Sequence, residues 1–273
     1  MKQMWRYAVL VLLAAAVVAT AAVAQEVSFK DPVGDDNGPG AYTYPTDSVY
    51  RPGSFDLTSF KMKVGGGKAT IEVAQNSNLE DKCWTMQFGF CVQEVFVFIK
   101  TDPNTGHTEG LPGLNVQFAP EAGWNKVIIL SPQPSSRVRQ EVELKVAKAL
   151  QPDVIVPNRV GGAGRIISAK VDLKEIGEGD VTKWGFQVLM QSNEGFPAPT
   201  DLLTRKVNEY EGQHRFGGGN DGDCDPHVMD VLAGNGAGDK SEIDAQHAML
   251  AYECNADGTS KKMATLTMVY LKK

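Results

Sequence analysis

Apolar and polar residues alternate along most of this chain, the period of a half-buried β-strand. Phe60, Met62 and Val64 alternate with lysines, Gly65-Gly66-Gly67 turns the chain, and Ile71 and Val73 alternate again. The stretch predicts a hairpin with one wet face. "VQEVFVFIK" (92–100) is apolar on both faces and predicts a central strand covered on each side. Leu114, Val116 and Phe118 alternate, and "KVIILS" (126–131), "EVELKVAKAL" (141–150), "RIISAKVDL" (165–173), "WGFQVLMQS" (184–192) and "MATLTMVYL" (263–271) complete the strand candidates.

Helical signals are few. "VDLKEIG" (171–177) allows one short turn ending at Gly177. "SEIDAQHAMLAY" (241–252) allows another, with Ser241 as N-cap and Asp244 three residues on, an acidic form of the capping box. Gly, Pro, Asn and Asp clusters separate the strands at the spacing of a sandwich or jelly roll. There is no internal repeat or linker. The expected fold is all-β: a single antiparallel β-sandwich over 25–273, with long Gly/Asp-rich loops and at most two short helices.

The first residues read as an export signal. Lys2 and Arg6 precede an apolar run from Ala8 to Ala22, and Ala22-Val23-Ala24 offers a small-x-small cleavage pattern before Gln25. The competing reading is an uncleaved anchor; the alanine richness and the cleavage pattern favour removal of 1–24. The expected location is secreted, extracellular or periplasmic, with no membrane association after removal. The formal net charge is −6, and loss of Lys2 and Arg6 makes it more negative. Such a chain repels phosphates, which argues against nucleic acid and anionic membrane surfaces as partners.

Four cysteines follow the signal, an even count suited to two disulfides in an oxidising compartment. Three pairings are open. Cys83–Cys91 and Cys224–Cys254 are preferred, because each brackets one irregular segment. No C-x-x-C or zinc-ligand spacing is present.

"DPVGDDNGPGAYTYPTD" (31–47) is too rich in turn-formers for a strand or helix. Its Asp35 and Asp36, with Asp221, Asp223 and Asp225 in the glycine-loosened 217–225, are candidate calcium ligands, since that ion takes six to eight oxygens. Asp102 with Asn104 is a weaker candidate. The alternative is a set of tight turns in which aspartates bond backbone N–H groups. The opening and fourth loops are also expected to meet at one end of the sandwich. Tyr42 and Tyr44 share a face if "AYTYP" is extended, and with Trp84 and Trp124 could offer rings to a sugar. For the tyrosines, packing of the loop onto the core is the preferred reading.

No nucleophile elbow, H-E-x-x-H or Walker loop occurs, and the four histidines fall in separate loops without metal-ligand spacing. The chain is therefore not expected to be an enzyme. Met86 and Met190 are conceivable axial haem ligands, but a strand methionine usually fills a core, so haem is not expected.

Four stretches in order carry a resemblance: "FKDPVGDDNGPGAYTYPTDSVYRPGSFDLTSFKMKV" (29–64), "TDPNTGHTEGLPGLNV" (101–116), "WGFQVLMQSNEGF" (184–196) and "FGGGNDGDCDPHVMDVLA" (216–233). Together they resemble the C-terminal domain of glucodextranases and some pullulanases. The resemblance implies a DOMON-like β-sandwich, a group whose members bind sugars or haem, serving as a non-catalytic module for carbohydrate or a cell-surface polymer. The expected function is thus a secreted binding module with calcium-stabilised loops. The alternatives are a structural subunit that pairs with other copies or an extracellular assembly, and a haem-bearing electron-transfer subunit. "NLEDKCWTMQFGFC" (78–91) departs from the family's usual Pro-Trp-Gly-rich loop.

Overall fold

A computed structural model describes residues 25–272 of the chain. The export signal expected over residues 1–24 lies outside the described residues.

The strands are β1 (Gln25–Lys30), β2 (Leu57–Gly65), β3 (Lys68–Gln75), β4 (Gln93–Lys100), β5 (Val116–Phe118), β6 (Lys126–Leu130), β7 (Val154–Ile155), β8 (Val160–Ala163), β9 (Ile166–Asp172), β10 (Gly185–Ser192), β11 (Asp230–Val231), β12 (Glu253–Cys254), β13 (Ser260–Lys262), β14 (Ala264–Leu266) and β15 (Val269–Tyr270). One sheet runs β1-β2-β3-β9-β8 and is antiparallel throughout. The other runs β11-β10-β4-β6-β7, with β15 also on β10.

The period-two pattern does what alternation dictates. Met62 faces Ile71 across the β2–β3 hairpin, and Ile71 faces Ala169 of β9. These buried side chains meet Val95, Val97 and Ile99 of β4 and Phe186, Val188 and Met190 of β10 in one inter-sheet core. The lysines between them point away. β4 and β10 are buried at every position. Their other face, with Phe96, Phe98 and Leu189, packs in a second core with β5, β14 and the helical segments 135–145 and 241–250. A sheet covered on both sides needs strands apolar on both sides, as residues 92–100 foretold.

Among the described residues three α-helices are present instead of at most two: α1 (Ser135–Lys145), α2 (Leu173–Ile176) and α3 (Ser241–Leu250). α1 overturns the strand expected over 141–150. Val142, Leu144 and Val146 alternate, but Val138, Val142 and Val146 enter the second core at four-residue helical steps, while Leu144 is 71 % exposed. Two further expectations need correction. Asn115 takes a left-handed φ of 52°, so the 114–118 strand shrinks to β5. The 263–271 segment splits, with Ala264 and Leu266 in the second core and Val269 in the inter-sheet core. α2 ends at Gly177 as expected. In α3 the N-cap position is Lys240, and Ser241 is the first helical residue without a capping bond. Glu242 does the local work, accepting the N–H groups of Asn235, Ala237 and Gly238.

Both preferred disulfides form, with Cα–Cα distances of 5.9 Å for Cys83–Cys91 and 5.4 Å for Cys224–Cys254. The first staples a loop over the edge strand β8. Gly162 N donates to Phe88 O at 2.6 Å, and Leu79 N to Gly164 O at 2.8 Å, so the edge is covered instead of left open to other chains.

Candidate functional site

Two features gather chemistry at one end of the sandwich. The first is a cleft of about 660 Å³, within the range of small-molecule pockets. Topology builds it. β10, β4 and β6 are neighbours, and the segments leaving one end of the three supply its walls: 84–88 before β4, 132–137 after β6, and 193–196 after β10. Trp84, Phe88 and Phe196 give apolar faces; Gln133, Arg137 and Glu194 give polar ones.

The polar groups are held in place before any ligand arrives. Arg137 donates to Gln133 Oε1 at 3.1 Å and to the Gly195 carbonyl, and Gln133 Nε2 donates to Asn193 Oδ1 at 2.9 Å. Glu194 pairs with Arg205 at 2.6 Å and accepts Phe196 N at 2.9 Å. Arg205 in turn donates to the His214 carbonyl and lies 5.8 Å above the Tyr50 ring.

The aromatic groups are presented outward at a cost. Phe196 is 95 % exposed and Trp84 39 %. Trp84 and Thr85 both adopt left-handed φ, 51° and 61°, a strained conformation for bulky residues that persists only where the surroundings enforce it. Here the Cys83–Cys91 bridge and the contacts to β8 enforce it. Trp84 leans on Tyr50 and His214, with ring centroids 6.1 and 5.9 Å away.

The second feature is a buried carboxylate cluster. Asp31 follows β1, Asp35 lies in the opening loop, and Asp230 begins β11; all three are buried, with one oxygen of each within 4.8 Å of the others. Asp56, also buried, precedes β2. Burial, aided by neighbouring carboxylates, pushes Asp35 up to about 7 and Asp56 up to about 6. The same two causes hold Asp31 and Asp230 well above the ordinary range.

The sequence candidates distribute unevenly. Of the aromatic set, only Trp84 reaches the cleft. Tyr42 and Trp124 are buried, and Tyr44 packs edge-on against Phe55 and Phe216. Tyr42, Tyr44 and Trp124 pack in or against the cores, away from the cleft. Tyr42 donates to Pro226 O at 2.7 Å and Tyr44 to Asp36, so the pair pins the opening loop. Gly38, at φ 61°, is required there because a Cβ would lie 2.2 Å from the Tyr42 ring. Of the calcium set, only Asp35 joins the cluster. Asp36 is engaged by Tyr44, Asp221 accepts Glu209 N, Asp223 pairs with Lys206 and His227, and Asp225 receives Tyr42. Asp102 closes a turn through Asn104 N and Thr105 Oγ1, the capping alternative. Met190 lies in the inter-sheet core and Met86 on the cleft wall.

The opening and fourth loops do meet, through Thr43 N to Gly217 O at 2.9 Å and the reciprocal bond at 3.1 Å. They share no common set of ligands. The missed residues carry one legible signal: Asp56 in "FDL" and Asp230 in "MDVL" are acids inside apolar runs, where a charge must be buried and compensated. Arg137, Glu194 and Phe196 carry no such signal.

A family model described as the C-terminal, SLH-like binding module of glucodextranase matches residues 27–269. No curated protein sequence matches the chain significantly.

Proposed function

Since the chain belongs to the glucodextranase C-terminal binding-module family, we propose that it is a secreted binding module that takes carbohydrate of a polysaccharide or cell surface in the Trp84–Phe196 cleft. The observation that carries this reading is the cleft itself: two exposed aromatic rings beside the bonded Gln133–Arg137 pair and Glu194, itself held by Arg205. A sugar ring has apolar C–H faces that pack on aromatics and a rim of hydroxyls that both donate and accept. Arg137 supplies donors, Glu194 supplies acceptors, and Gln133 supplies both. Because each of these side chains is already held by partners in the protein, little rotamer entropy is lost on binding.

The test is a glycan array of neutral and cell-wall polysaccharides, with any positive titrated by calorimetry against the parent chain and Phe196→Ser. Phe196 contributes almost nothing to packing, so the substitution leaves the melting temperature unchanged. One aromatic contact is worth about 1 kcal/mol, and its loss weakens binding by roughly 5- to 10-fold. An array with no positive, or equal affinity for both proteins, contradicts the assignment.

A further inference from the structure

We propose that Asp31, Asp35 and Asp230, with Asp56 beside them, form a buried site for one divalent cation, with calcium as the ion, independent of the cleft. The placement of the oxygens supports it. Each of three carboxylates is anchored by one oxygen and offers the other. Asp31 Oδ1 accepts Ala233 N, Asp56 Oδ2 accepts Gly34 N and Asn76 Nδ2, and Asp230 Oδ2 accepts Leu57 N. Asp31 Oδ2, Asp56 Oδ1 and Asp230 Oδ1 have no partner.

Asp35 is the second observation. Its side chain is 1 % exposed, and neither of its oxygens meets a donor. A backbone that fixes three carboxylates and leaves a fourth wholly unsatisfied beside them is arranged around something positive. Among the described residues no Lys, Arg or His lies within 4 Å of any of the four carboxylates. Leaving several such groups buried and uncompensated is costly.

The donor chemistry selects the ion. All donors are oxygen, which favours a hard cation over zinc or copper. Calcium–oxygen distances of about 2.3–2.6 Å put two ligands at most ~5 Å apart across the ion. The Asp31, Asp35 and Asp230 oxygens, within 4.8 Å of one another, meet that limit. Magnesium sits closer to its ligands and keeps several waters, which a fully buried set of carboxylates does not favour. The ion would tie the end of β1, the opening loop and β11 into one unit.

The experiment uses the purified chain after EDTA treatment and desalting. Calcium chloride is titrated with metal content read by mass spectrometry and stability by calorimetry. The expected result is one calcium per chain and a melting temperature raised by about 5–10 °C at calcium a hundredfold above Kd. Magnesium at the same concentration gives a smaller rise. Asp35→Asn removes a charge without changing shape. It should abolish the calcium response while raising the melting temperature in EDTA, because like-charge repulsion falls. Asp223→Asn, outside the cluster, should bind calcium as the parent does. No retained metal and identical melting with and without calcium would overturn the site. So would a calcium response that survives Asp35→Asn.

Discussion

Trp124→Ala is expected to destabilise the fold by about 3–5 kcal/mol, the range for removing a fully buried large aromatic. Trp124 has no exposed surface. Its ring meets Phe98 edge-on at 5.3 Å and His107 at 4.8 Å, and its indole N–H donates to the Glu109 carbonyl at 2.8 Å. Alanine leaves a cavity and an unpaired carbonyl together, and neighbouring β-strands relax little to fill it. Total stabilities are about 5–15 kcal/mol, so the variant would sit close to unfolding. Urea denaturation at constant slope should show the midpoint falling, and Trp124→Phe should recover most of the loss of volume but not the hydrogen bond. A midpoint unchanged in Trp124→Ala would mean that the second core does not pack around this ring.

Trp84 predicts the opposite pairing of effects. Its ring lies at the cleft, so Trp84→Ala should weaken glycan binding by about 30-fold or more, the loss typical of a central aromatic anchor. Stability should hardly move. Trp84→Gly is sharper still, because glycine takes the φ of 51° without the ~1–2 kcal/mol penalty of a side chain in that region. That variant should melt no lower than the parent, and even higher, while losing affinity to the same extent. Thermal melting and calorimetric titration on the same preparations separate the two roles. A Trp84→Gly chain that binds normally would show that the strained turn serves something other than ligand contact.

The two tryptophans also show what a sequence can and cannot tell. Both stand in irregular stretches, and nothing local distinguishes the ring that faces out from the ring that faces in. Where packing follows from local period, as in the β2–β3 hairpin and in β4, alternation alone names the buried residues. The same rule misleads at 141–150, because Val142 and Val146 satisfy both a two-residue and a four-residue step. Leu144 decides between them, being exposed where a two-residue step would bury it, while Val138, Val142 and Val146 all enter the second core. Cysteine bracketing identified both bridges because each joins consecutive cysteines, although Cys224–Cys254 spans β11 and α3 and not one irregular segment. The carboxylate cluster draws from residues 31, 35 and 230, and the cleft from several loops far apart in the chain. Such sites depend on sheet order, which no window of sequence contains. The family resemblance bridges part of that gap. It supplies the sandwich and the binding role, but it carries no information on the disulfide-bound 78–91 segment that makes one wall of the cleft.

The most direct test of where ligand binds is hydrogen exchange on the chain with and without a polysaccharide that it retains on an array. The account predicts added protection in 84–88, 132–137 and 193–196 together, with 120–125 around Trp124 unchanged. Protection confined to any other surface, with those three segments exchanging as in the free protein, would contradict it.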